Sequence, residues 1–159
     1  MGQRGETYAK AFEAKAEEAA RFIESLTDDE WKKTTTAEKW SVGVTAHHIA
    51  VSHELLAGLA KTLADGKPGP NIPVDALHQA NAKHAQEHAN CTKAETLALF
   101  RRGAAAAASI VRGIADADLD RRGAVIAGMP EMSAADLAGG LLVRHIDEHL
   151  GSIRATVGR

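Results

Sequence analysis

The chemistry available to this chain is concentrated in its histidines. Eight are present, His47, His48, His53, His78, His84, His88, His145 and His149. Two pairs, His84 with His88 and His145 with His149, are four residues apart. On an α-helix such a pair shares one face, about 5–6 Å apart at Cβ, within reach of one metal ion. Neutral imidazole is the commonest metal ligand among side chains. Three imidazoles with a fourth position left open form the donor set of catalytic rather than structural zinc sites. The one cysteine, Cys91, excludes an intrachain disulfide and a thiolate zinc cluster. Nothing beside Cys91 marks a lowered thiol pKa, so it reads as a small filler at a helix junction.

Which histidines face inward is a question of period. Along residues 133–157, steps of three and four give Ala138, Leu142, His145, His149 and Ile153, which places both histidines in the apolar stripe of an amphipathic helix. A second stripe, Val44, His48, Val51, Leu55 and Leu59, carries His48 and leaves His47 on its flank. Buried polar groups need partners, and three inward imidazoles on two helices point to one divalent cation held by His48, His145 and His149.

The rival pair has a poorer face. Val74, Leu77, Asn81, His84 and His88 are only half apolar, and Lys83, Gln86, Glu87 and Asn90 surround them. That face is expected to be solvated or to line a rim, with Asn81 and His84 as candidate pocket-wall residues. His53 and His78 are expected at the surface. Residues 145–149 also match the H-x-x-E-H pattern of inverted zinc proteases, but only ten residues follow His149, too few for a downstream ligand helix. Glu148 is the candidate proton acceptor; the competing reading is a solvated charge four residues from Arg144.

The elements that must position these groups are helical. Residues 6–26 carry Tyr8, Phe12, Ala16, Ala19, Phe22 and Leu26 at helical steps. Thr27, Asp28 and Asp29 can cap a short turn, Trp31 is expected under the next loop, and residues 34–39 read as a polar connector. Trp40 is expected to anchor the entry to a long helix over residues 41–64. The glycine- and proline-rich residues 65–71 break the chain, and Pro73 suits the first turn of a third helix reaching about residue 89. Thr92 with Glu95 offers a capping box for a fourth helix over residues 93–115. Residues 116–132 form a longer loop, and Ser133 with Asp136 is a weaker capping signal for the last helix. Gly139-Gly140 within that helix costs roughly 1 kcal/mol each relative to alanine; a close neighbour or fraying near the helix start would account for them. No stretch shows the alternation of strands, so the pattern predicts an all-α protein with a four-helix bundle core and short extra helices.

Composition narrows the function classes. At 159 residues, one domain spanning residues 1–159 is the simplest division. Hydrophobic residues make up 45% and charged residues 25%, with a formal net charge of -2, so bulk charge gives no reason to expect nucleic acid or an acidic membrane surface. No apolar run approaches the ~20 residues of a membrane span, and the first residues lack a signal-peptide core. A cytoplasmic protein acting on a small molecule, with a possible homodimer, is the expected setting.

These residues carry a resemblance. Trp40-Ser41 followed by His48-Ile49-Ala50, with the histidine eight residues after the tryptophan, and the later His145-x-x-x-His149, are similar to the DinB/YfiT-like superfamily, which includes the mycothiol-dependent maleylpyruvate isomerase N-terminal domains. Residues 76–82, ALHQANA, and 118–120, DLD, resemble it as well. The resemblance implies a four-helix core with a divalent metal, zinc or nickel foremost, held at one end by His48, His145 and His149. It also implies a thiol-dependent transferase or isomerase using mycothiol, bacillithiol or a glutathione-like thiol. A longer C-terminal domain of the two-domain isomerases is not matched, which puts that reaction in doubt more than the metal site. As a Lewis acid the metal would lower the pKa of a bound thiol or water and present it to an electrophile. Two other classes stay open: a non-catalytic helical binding or stress-response protein with structural histidines, and a metal-dependent hydrolase with water as nucleophile.

Overall fold

A computed structural model describes residues 2–159. The element order is α1 (Gln3–Glu24), α2 (Asp28–Lys32), α3 (Val42–Ala64), α4 (Val74–Glu87), α5 (Lys93–Arg112), a 3-10 turn (Asp116–Asp120), two two-residue strands β1 (Arg122–Gly123) and β2 (Met132–Ser133), a π-helical turn (Asp136–Leu141) and α6 (Leu142–Val157). Four long helices close a ring in which α1 packs on α5, α5 on α3, α3 on α6 and α6 on α1. Phe12, Ile23, Leu26, Ile49, Leu63, Phe100, Leu137, Leu142, Ile146 and Ile153 fill the middle. The all-α class holds, and the antiparallel β1–β2 pair, Arg122 opposite Ser133, is a small addition within the loop after α5.

The capping residues start the helices where their side chains say they should. Thr27 and Glu30 form a reciprocal capping box on α2. The Ser41 hydroxyl accepts from Val44 N–H at 3.0 Å at the start of α3, and Thr92 accepts from Glu95 N–H at 3.2 Å at the start of α5. Ser133 and Asp136 bond each other reciprocally: Ser133 N–H to Asp136 Oδ2 at 2.8 Å, Asp136 N–H to Ser133 Oγ at 2.9 Å. That exchange opens the π turn. A Cβ on Gly139 would come within 2.7 Å of the Tyr8 ring, so close approach of α1, and not fraying, accounts for this glycine. Gly140 faces open space.

Two stripes differ from expectation. The first half of α3 is buried on every side, residues 42 to 50 without exception, whereas Leu55 is 64% exposed. The line that faces the core on the rest of α3 is His53, Ala57, Ala60, Leu63 and Ala64, so His53 is a core residue and not a surface one. Small alanines let α5 approach closely along that line, and this contact outweighs the larger Leu55. On α6 the buried line is Leu142, Ile146, Leu150 and Ile153. His145 and His149 lie beside it, half-buried, and not within it. Leu142 and Ile153 belong to both lines, so they could not tell the two apart.

Candidate metal centre

The site begins with a tight turn. Between α2 and α3, Thr35 N–H donates to Trp40 carbonyl oxygen at 2.8 Å, and Lys39 N–H donates to Thr35 carbonyl oxygen at 3.1 Å. Lys39 takes a left-handed φ of 63° to close this turn, an uncommon conformation for a side chain with a Cβ. Thr34 and Ser41 bridge across its base. The turn aims Glu38 and Trp40 back at the bundle, while Ser41 starts α3 and so fixes the position of His48 within its second turn.

His48 meets the α6 pair from across the bundle. Its Nε2 lies 3.1 Å from His145 Nε2, and its ring centroid is 4.8 Å from that of His149. One ring nitrogen from each of the three residues lies within 4.8 Å of the others. Two nitrogens bound to one tetrahedral zinc stand about 3.3 Å apart, given a bond of about 2.0 Å, so the 3.1 Å separation needs almost no adjustment. Trp40 packs edge-on against His48 at 5.2 Å between centroids and walls one side.

Glu38 completes the arrangement behind His149. His149 Nδ1 lies 2.7 Å from Glu38 Oε2, and Ser152 Oγ, one helical turn on, donates to Glu38 Oε1 at 2.5 Å. Burial works to raise the Glu38 pKa; the bonds from Ser152 and His149 outweigh it and hold the carboxyl below its ordinary value. An ionised carboxylate only accepts. The proton of that contact therefore sits on His149 Nδ1, which makes Nε2 the nitrogen that carries the free lone pair in the neutral ring. A carboxylate on the far nitrogen is the usual companion of a metal-ligating histidine.

The electrostatics favour unprotonated rings. Burial, reinforced by the neighbouring His145 and His149, pushes His48 down to about 3. Burial, with His149 next, pushes His145 down to about 4. Both are neutral at pH 7, the form that ligates metal, and protons offer little competition there.

A second cluster abuts the first. His47, buried like its neighbour, stacks on His88 with centroids 4.1 Å apart, and its Nδ1 lies 2.7 Å from His84 Nε2. These three rings also bring one nitrogen each within 4.8 Å of the others. The α4 pair is thus half-buried against α3 and not fully solvated, because His47 meets both rings, while Ala85 shares a hollow with Val44 and Trp40. His84 also reaches His48, at 5.8 Å between centroids. Asn81 is half-buried one turn before His84 on the same face.

The other singled-out residues fall elsewhere. Glu148 is exposed and pairs with Arg144 at 3.8 Å, on the outer side of α6. His78 is exposed. Burial pushes the Cys91 thiol up, and the Cys91 carbonyl accepts from the Trp31 indole at 3.0 Å, a structural role at the junction of α4 and α5. Sequence reasoning missed Glu38, whose type is ordinary for a polar connector. Its place two residues before Trp40 was the only hint.

Comparison with known proteins fits this geometry. The fold matches a crystal structure of a mutant of the mycothiol-dependent maleylpyruvate isomerase with a TM-score of 0.73 at 12% identity, covering 94% of this chain and 60% of that one. At that identity the match speaks for the fold, and the chain spans about three fifths of the isomerase's length. No curated protein is similar enough to count as a match. The family model described as the DinB superfamily matches residues 11–153, a span that holds α3 and α5 whole, most of α1 and α6, and every histidine of both clusters. The chain belongs to the DinB superfamily.

Proposed function

We propose that this protein is a divalent-metal-dependent enzyme of thiol chemistry, in which His48, His145 and His149 hold one cation and the substrates are a low-molecular-weight thiol and a small electrophile. The observation that carries the metal reading is the meeting of His48 and His145 Nε2 atoms, 97 residues apart in sequence, with an ionised carboxylate set behind the third ring. The thiol part rests on the fold it shares with a mycothiol-dependent enzyme and on family membership. The isomerase reaction is not carried over, since only part of that enzyme's length is matched.

A zinc or nickel ion held there would supply a Lewis acid that lowers the pKa of a bound thiol or water. The chain's own residues do the positioning. Glu38 takes the His149 Nδ1–H and so fixes that ring's tautomer and orientation; Ser152 fixes Glu38 in turn. Trp40 covers one side of His48. Imidazoles are neutral ligands, so the ionised Glu38 behind His149 would offset only part of a divalent cation's charge, and the remainder would favour an anionic thiolate beside it.

Elemental analysis of purified wild type against His145→Ala tests the metal part: the variant should carry one equivalent less of zinc or nickel. Equal metal in both would overturn it. Turnover of monochlorobimane with a panel of thiols tests the enzyme part. Absence of turnover with every thiol leaves a non-catalytic binding protein, and hydrolysis of ester substrates without thiol replaces the transferase with a hydrolase. The exposed, Arg144-paired position of Glu148 offers that hydrolase no inward base from α6.

A further inference from the structure

The cluster on α4 has no part in the centre just described, yet it is built in the same way. Its three rings come from two helices: His47 from α3, His84 and His88 from α4 and its C-cap. The 2.7 Å between His47 Nδ1 and His84 Nε2 has to open by about 0.6 Å to reach the edge of a tetrahedral zinc site. Rotation of half-buried rings about their terminal torsions supplies that without moving backbone. His84 Nδ1, the ring nitrogen that does not meet His47, is buried with no hydrogen-bond partner, an uncommon state for a buried polar atom; no second bond fixes this ring, which is free to turn a nitrogen toward a shared ion.

The packing of α4 sharpens the point. The residues of α4 and its C-cap that turn inward are Leu77, Asn81, His84, Ala85 and His88, all only half-buried, and α4 contributes no fully buried residue. Leu77 and Ala85, the latter lining a hollow shared with Val44 and Trp40, are a thin apolar reason for a 14-residue helix to dock. His88 stacks on His47, and His84 lies tilted to it with one ring-nitrogen hydrogen bond across 2.7 Å, a modest hold of about 1 kcal/mol for the bond. A shared cation bonded to all three would fix the helix to α3 at that point.

We propose that His47, His84 and His88 form a second divalent-cation site, adjacent to the first and selective for borderline metals such as zinc, nickel or cobalt, as an all-imidazole donor set favours. Adjacent residues on α3, His47 and His48, serve the two sites separately, and the His84 ring beside His48 is the wall between them. The second ion is a clamp on α4 and does not depend on the thiol chemistry proposed for the first.

Titration of metal-free protein with Co(II), read by visible absorption and by elemental analysis after gel filtration, tests this. Wild type should bind two equivalents. His84→Ala/His88→Ala should lose one and keep the other; His145→Ala/His149→Ala should do the same with the opposite site. Hydrogen exchange of residues 74–87 should slow on adding metal to wild type and to the α6 double variant, and should not change in the α4 double variant. Because α4 places no residue in the core, the α4 variant is expected to keep its fold, checked by circular dichroism. Two equivalents retained by the α4 variant, or a single wild-type equivalent lost only in the α6 variant, overturns the second site. A single equivalent lost only in the α4 variant overturns the first site and upholds this one.

Discussion

At the scale of single residues, the informative side chain is Glu38. Its carboxylate touches no other part of the cluster, yet it decides which nitrogen of His149 carries hydrogen, and so which one carries the free lone pair. Glu38→Gln keeps the shape and removes the obligatory acceptor: the amide can present its NH2 group to Nδ1 and favour the wrong tautomer. The expected result is a fall of about 10–100-fold in affinity for zinc at the His48 site, measured by competition with a chromophoric chelator, with little change in thermal midpoint. An unchanged affinity would mean that Glu38 serves only to hold the turn before α3. Ser152→Ala should give a smaller fall in the same direction, since Glu38 keeps its bond to His149.

At the scale of elements, the site depends on how α3 begins. Ser41 caps it, the turn over residues 35–40 aims Trp40 and Glu38 at the cluster, and Gly43 lets the Trp31 ring of α2 lie against the helix. A Cβ at position 43 would fall 2.5 Å from Trp31 Nε1 and Cε2. The indole is held by its bond to the Cys91 carbonyl and has little freedom to withdraw. Gly43→Ala gains helix propensity, but overpacking against that ring should prevail and destabilise the fold by about 1–3 kcal/mol, read from urea unfolding. A neutral or stabilising effect would show that Trp31 moves freely. Replacing Ser41 by alanine removes the cap and should cost about 1 kcal/mol, with a parallel loss of order at His47 and His48.

For the molecule as a whole, the buried histidines set how stability depends on pH. His53 is 1% exposed, lies edge-on to Phe12 and Phe100 at 5.2 and 4.5 Å, and its Nε2 has no partner. Burial lowers it to about 4 from an ordinary 6.5. The unfolded chain therefore binds more protons than the folded one between those values. Stability from this group is complete above about pH 6.5 and is lost as pH falls toward 4, by about 3 kcal/mol in all. His53→Phe removes the ionisable ring and a buried unpartnered nitrogen. Metal-free His53→Phe should unfold with a flatter pH dependence between 6.5 and 4 than metal-free wild type, and should be no less stable at pH 7. An unchanged slope would show that the other lowered histidines, His47, His48, His84 and His145, carry the whole dependence.

The sequence by itself determined the long helices and several of their starts, because caps such as Thr27 and Thr92 and the three-to-four-residue spacing of apolar side chains act within one or two turns; the π turn ahead of α6 was not marked by that spacing. It also singled out His48, His145 and His149, since a four-residue spacing on one helix and an inward position on another are local properties. What only the tertiary structure decided is which groups face those histidines. Glu38 enters through a left-handed turn at Lys39, and nothing in a polar connector marks one carboxylate above its neighbours. His53 is buried because α5 approaches α3 along alanines rather than along Leu55. His84 and His88 meet His47 because α4 folds back on α3 after a proline- and glycine-rich break. Local periodicity specifies the face a residue takes; the partner that covers that face belongs to another helix, and its distance in sequence hides it.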